Sequence, residues 1–141
     1  LVDVYCGYGL FAGFLDNGRR PRIVGIDAND AGIRAARRNQ PRGHFECDGV
    51  SARSLERMAQ FDGEIQIVDP PRGGLPYQVV QALAARRPAL SLNCFCDIDQ
   101  MPQAIRDWAT RGYRAELAIP VDMFAGCAAL EMIVAFLPEN D

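Results

Sequence analysis

The chain has 141 residues, enough for one domain with a buried core. Apolar residues make up 49% and charged residues 23%, which excludes a disordered chain, and no apolar run reaches the roughly 18 residues of a membrane helix. Fifteen Lys and Arg against 18 Asp and Glu leave a net charge of −3, which excludes a domain that holds nucleic acid by bulk electrostatics alone.

Apolar, β-branched runs alternate with helical patterns from end to end. Leu1 to Tyr5 reads as a first strand, followed by a glycine turn and a helix from about Leu10 to Asn17. Arg22 to Asp27 is a second strand and Asp30 to Asn39 a helix, with Ile33, Ala36 and Arg37 on neighbouring turns. Gly43 to Cys47 is a short third strand. Ser51 to Gln60 is a helix with a Ser cap and Glu56 in its second turn. Glu64 to Val68 is the fourth strand, Gln78 to Arg86 a helix stopped by Pro88, and Ala89 to Cys94 the fifth strand. Met101 to Arg111 is a helix ending at Gly112, and Tyr113 to Val121 and Leu130 to Leu137 are two last strands with no helix between them. Strand–helix alternation implies a parallel sheet with right-handed crossovers, whereas the last pair must be antiparallel. The fold class is therefore α/β, a seven-stranded, mostly parallel sheet with one antiparallel strand near the C-terminus.

The five cysteines, Cys6, Cys47, Cys94, Cys96 and Cys127, are odd in number and lack paired metal spacing. With a single histidine, His44, expected at the surface before a strand, no metal site is predicted. Most cysteines are expected to act as small buried hydrophobes in a reducing cytoplasm. The chain opens on Leu1, already inside a strand-like segment, and reads as the C-terminal part of something longer.

Two stretches carry chemistry. Asp3-Val4-Tyr5-Cys6-Gly7-Tyr8-Gly9 followed by a helix is a glycine-rich βα turn, where the backbone must bend tightly and let a ligand approach. Asp27 ends the second strand, where a carboxylate can accept both hydroxyls of a ribose, and Asp48 follows the third, where it could meet an adenine edge. NAD and S-adenosylmethionine both suit such a layout. Asp3 inside the first strand, with Leu10 and Phe11 in place of the small residues that admit a pyrophosphate, favours the methyl donor. The second stretch is Asp69-Pro70-Pro71-Arg72 at the end of the fourth strand. It sets a carboxylate at the sheet rim and stiffens the turn, because each Pro fixes φ and removes a donor. Ligands of open α/β sheets bind at such carboxyl ends.

Asp3-Val-Tyr-Cys-Gly-Tyr-Gly9, Gly25-Ile-Asp27, Asp69-Pro-Pro-Arg-Gly-Gly-Leu75, Asn93-Cys94 and Asp122-Met-Phe124 with Glu131 follow in order along nearly the whole chain. In this the chain resembles the RNA (uracil-5-)-methyltransferase family, of class I, Rossmann-like, S-adenosylmethionine-dependent type. The resemblance implies methyl transfer to carbon 5 of a uridine in ribosomal or transfer RNA. By the same resemblance Cys94 is the nucleophile and Glu131 the base, with Asp69 beside them, and Tyr5, Gly7, Gly9, Leu10, Asp27, Asp48 and Asp69 line the cofactor pocket.

Residues 1–141 would then form a single methyltransferase domain lacking an N-terminal RNA-binding portion, a monomer with no membrane partner and weak RNA affinity alone. The family writes Ser-Cys-Asn-Pro around its nucleophile where this chain has Asn93-Cys94-Phe95-Cys96, and two histidines where it has Gly126-Cys127-Ala128-Ala129. Cys96 either packs on the same strand face as Cys94 or offers a second thiol. Three other functions stay open: an amino-group methyltransferase using Asp-Pro-Pro, a catalytically silent cofactor-binding domain, and an NAD oxidoreductase.

Overall fold

The computed structural model describes residues 1–16, 22–123, 126 and 130–139. Seven strands form one sheet: β1 (Val2–Val4), β2 (Val24–Asp27), β3 (His44–Cys47), β4 (Ile65–Val68), β5 (Leu90–Phe95), β6 (Tyr113–Val121) and β7 (Glu131–Pro138). Their order is β3-β2-β1-β4-β5-β7-β6. All pairs are parallel except β5–β7 and β6–β7, so β7 is the one reversed strand, as the missing helix between the last two strands predicts. Pro120 sits in β6, an edge strand, where its missing N–H costs no ladder bond on the open side.

The helices are α1 (Leu10–Leu15), α2 (Asp30–Asn39), α3 (Ala52–Arg57), α4 (Tyr77–Ala85) and α5 (Met101–Ala109). Two apolar clusters divide them between the sheet faces. Ala12 of α1 and Ile33 and Ala36 of α2 pack with Cys6, Ile23 and Phe45. Leu55 of α3, Val80 and Leu83 of α4 and Trp108 of α5 pack with Val2, Val4, Val68 and Phe136 in the larger core. Trp108 stacks on Phe136 with ring centroids 5.1 Å apart, and its indole N–H donates to Asn93 Oδ1 at 3.1 Å. On the α1–α2 face, Leu117 (54% exposed) and Ile119 (45% exposed) of β6 remain open to solvent.

Local chemistry explains the helix ends. Asn29 caps α2 by accepting the Gly32 N–H at 3.1 Å, with Asp30 in the first turn and Arg37 and Arg38 in the last, matching the helix dipole. Helix α3 has its predicted cap, Ser51, paired reciprocally with Ser54. It stops at Arg57, well before Gln60, for a reason no local propensity carries. The Arg86 guanidinium takes the carbonyls of Leu55 and Met58 at 2.9 and 3.2 Å and that of Ala59 at 2.6 Å, so the backbone opens there instead of closing another turn. Arg86 also pairs with Glu64 through two hydrogen bonds of 2.8 and 2.7 Å, both side chains being buried.

The cysteine expectation holds only in part. Cys6 and Cys94 are buried, but Cys47 is exposed and Cys96 half-buried, because β3 is the other edge strand and Cys96 lies just past the end of β5. Cys127 lies outside the described residues. His44 is exposed, inside β3 as its first residue. No helix among the described residues is long and apolar enough to cross a membrane.

Candidate active site

The strand register gathers the chemistry on one rim. Val4 pairs with both Ile26 and Val68, and Val68 pairs with Asn93, so the residues that follow, Tyr5, Asp27, Asp69 and Cys94, share one level across four adjacent strands. On the other side of β5, Cys94 stands opposite Ile133 of β7. Two residues along, on the same face because side chains alternate, is Glu131. Such diagonal neighbours lie about 7–8 Å apart between Cα atoms, within reach of a side chain and a small substrate. A cleft of about 470 Å³ at this rim is lined by Tyr5, Gly7 and Leu10 from the β1–α1 turn and by Asp69, Cys94 and Glu131. A second hollow of about 390 Å³ shares Tyr5 and Asp69 and adds Asp27 and Val50. Cys96 also lines the larger cleft, on the face of Cys94, as one of the two readings of that residue requires.

The glycine turn is built by positive φ. Tyr5 (φ 63°), Gly7 (φ 49°) and Gly9 (φ 72°) are all left-handed, which turns the chain sharply out of β1. Asp27 locks the turn: its Oδ2 accepts the Gly7 N–H at 2.9 Å and its Oδ1 the Asn29 N–H at 2.7 Å. Gly9 does not line the cleft. A Cβ there would sit 3.1 Å from Ala36 Cβ, so this glycine lets α1 start against α2. Asp48 does not line either hollow. Its carboxylate is exposed, with Oδ1 accepting the Gly49 N–H at 2.8 Å and Oδ2 paired with Arg57 at 2.6 Å. Val121 and Ile133 also line the cleft. Sequence reading did not single them out, although counting by twos from Glu131 reaches Ile133.

Burial and like charge set the protonation states. The Cys94 thiol is pushed up to about 12, by burial first and then by the carboxylates of Asp69 and Glu131. Asp69 is raised by burial and by Glu131. Asp3 is fully buried beneath this row. Its Oδ2 accepts the Ala12 N–H at 3.3 Å, while its Oδ1 has no partner. Burial raises its pKa from 3.8 to about 6. A carboxyl raised in the folded state contributes stability that is whole below pH 3.8 and lost as pH rises through about 6. The wild-type chain is therefore expected to lose up to about 3 kcal/mol between pH 4 and 7 from this group. Urea melts of Asp3→Asn across that range should be flatter by that amount, and parallel curves would contradict it.

Comparison with known proteins follows the same lines. No family model matches the chain. It is 31% identical over 94% of its length to a protein named Uncharacterized RNA methyltransferase from Nitratidesulfovibrio vulgaris, of which it covers 30%. It is 28% identical over 97% of its length to the tRNA (uracil(54)-C(5))-methyltransferase of Pyrococcus horikoshii, covering 32% of that protein. A crystal structure of the Pyrococcus abyssi tRNA (uracil-54, C5)-methyltransferase in complex with S-adenosyl-L-homocysteine superposes with a TM-score of 0.78 and 26% identity, over 96% of this chain and 33% of that one. The chain thus spans about a third of the length of the relatives it matches. A precorrin-6y C5,15-methyltransferase from Geobacter metallireducens, at 13% identity and a TM-score of 0.73, shares the fold alone. The chain thus has the fold of the class I S-adenosylmethionine-dependent methyltransferases, and in sequence it is similar to RNA (uracil-C5)-methyltransferases.

Proposed function

We propose that this chain is the catalytic part of an enzyme that transfers a methyl group from S-adenosylmethionine to carbon 5 of a uridine in RNA. What supports the reading most is the register that sets Asp69, Cys94 and Glu131 on one rim beside the glycine turn. The two hollows fit the cofactor. Asp27, at the end of β2, keeps lone pairs free on both oxygens for ribose hydroxyls, and the acidic lining of Asp27, Asp69 and Glu131 suits a cation. Tyr5, Gly7 and Leu10 would hold it, with Asp69 between the hollows. When bound, S-adenosylmethionine supplies an electrophilic methyl group on a positively charged sulfur. Asp48 reaches an adenine edge in this reading only by leaving Arg57.

The chain's own residues would do the rest. Carbon 5 of uracil is a poor nucleophile. The Cys94 thiolate forms a bond to carbon 6, and the ring's electron pair moves toward carbon 5, making it nucleophilic. After carbon 5 carries the methyl group, Glu131 removes its remaining proton. The pair left behind restores the ring double bond and expels the Cys94 sulfur. The direct test is intact mass of the protein incubated with S-adenosylmethionine and 5-fluorouracil-substituted RNA. Fluorine cannot leave as a proton, so a methylated protein–RNA adduct should persist, and should vanish in Cys94→Ser. The lack of any adduct in protein that binds cofactor and RNA would favour an amino-group methyltransferase or a silent domain.

A further inference from the structure

We propose that Arg72 is the phosphate-binding residue of the substrate site, gripping the phosphodiester of the nucleotide presented to Cys94. The proposal rests on the RNA reading above and adds to it the contact by which this chain tolerates a polyanion. A small recess of about 10 Å³ beside the cleft is lined by Arg72 together with Cys94, Cys96 and Asp97. Cys94 and Cys96 line both spaces, so the two adjoin. Among the described residues that line the cleft, the second hollow and this recess, four are carboxylates, Asp27, Asp69, Asp97 and Glu131, and Arg72 alone is a cation. RNA brings a negative charge with every nucleotide, so its approach to Cys94 is opposed by these carboxylates unless a cation meets a phosphate there.

Arg72 is free to do so. Five other arginines among the described residues are ion-paired, Arg34 to Asp30, Arg42 to Asp16, Arg57 to Asp48, Arg86 to Glu64 and Arg114 to Glu116. Arg72 is exposed and has no hydrogen bond, ion pair or ring contact among the described residues, although Asp97 lines the same recess. The Asp97 side chain instead accepts the Asp99 N–H at 3.1 Å. The turn that carries Arg72 is stiff. Pro70 and Pro71 fix φ before it, and after it Gly74, left-handed at φ 72°, donates its N–H to the Pro71 carbonyl at 2.9 Å. A planar guanidinium on a rigid turn matches a phosphate with two parallel hydrogen bonds, at little further loss of freedom.

The test is RNA binding by the full chain saturated with S-adenosylhomocysteine, using a uridine-rich single strand of about 20 nucleotides over about 50–200 mM KCl, paired with methylation of the same RNA with S-adenosylmethionine. Arg72→Ala should weaken binding about tenfold and flatten the log–log salt slope by about 0.7, the share of one phosphate. Arg72→Lys should keep the slope and lose affinity only a few-fold, and cofactor affinity should not move in either variant. An unchanged slope in Arg72→Ala, in a chain that still methylates RNA, would overturn the phosphate site alone. An Arg72-dependent slope in a wild-type chain that transfers no methyl group would uphold the site and overturn the catalytic reading. No RNA binding by the wild type up to about 1 mM, weaker than ordinary non-specific binding, would overturn both.

Discussion

Replacing Arg86 by Met is expected to lower the stability of the domain by about 3–5 kcal/mol, the usual cost of stranding one partner of a buried ion pair. The mechanism is specific to this site. Glu64 would keep its charge in the core with only the Gln66 amide at 2.9 Å for company. The carbonyls of Leu55, Met58 and Ala59 would lose the donor that ends α3 and turns the chain toward β4. For a domain of this size the midpoint of thermal unfolding should fall by roughly 10–20 °C. Such a loss is a large part of the total for a typical domain. The double variant Glu64→Leu/Arg86→Met should recover part of the loss, because no unpaired charge remains, though the three carbonyls stay without their donor. Calorimetry of the two variants decides it. A single variant within about 1 kcal/mol of wild type would mean that water reaches the pair and the core is not sealed there.

The second large effect concerns Cys94. With S-adenosylhomocysteine bound, its alkylation by iodoacetamide at neutral pH should run about a thousandfold slower than that of an ordinary thiol. Its pKa of about 12 stands three decades above the usual 9.0, and only the thiolate reacts. The rate should still rise about tenfold per pH unit beyond pH 9, with no plateau. With S-adenosylmethionine in its place the site gains a fixed positive charge. Cys94 should then alkylate at least tenfold faster, because an opposite charge offsets the carboxylates that hold its proton. The two ligands differ by one methyl group, so obstruction of the thiol is nearly matched. Glu131→Gln should speed the reaction in both complexes, since Glu131 is among the charges that raise the thiol. Peptide mapping by mass spectrometry reads the rate at Cys94, with exposed Cys47 as the internal reference. Equal rates with the two ligands would separate thiol activation from the cofactor's charge. A thiol that ionises only beside that charge is protected from reaction until the cofactor is in place.

Much of the fold was legible because its signals are local. The helix Asp30–Asn39 and the strand Tyr113–Val121 match the sequence reading to the residue, the first from its 3.6-residue period, the second from the glycine that ends the preceding helix. Element ends set from afar were misplaced. Helix α3 was drawn to Gln60 because nothing between Ser51 and Gln60 forbids helix, and Arg86, which ends it, lies 26 residues further on. The strand-end aspartates were legible for the same local reason. That Asp27 and Asp69 face the hollows while Asp48 turns to Arg57 was not, since a side chain's choice of partner is made in space. That Gly9 lets α1 start against Ala36 of α2 was not legible either, since that contact joins segments 27 positions apart.

By itself the sequence determined the order and period of the elements, and with them a mostly parallel sheet with one reversed strand. It also supplied the residue types for the chemistry, a thiol and three strand-end carboxylates among them. Both follow from short-range sterics and from what each side chain can do. Only the tertiary structure decided register. Pairing Val68 with Asn93 and Cys94 with Ile133 is what turns Asp69, Cys94 and Glu131, scattered over more than 60 positions, into neighbours on one rim. It also decided charge. Burial and the carboxylates of Asp69 and Glu131 hold the Cys94 proton, and the folded chain leaves Arg72 as the lone cation among the described residues lining the cleft, the second hollow and the recess; neither can be read from a string of letters, because both depend on what else is near.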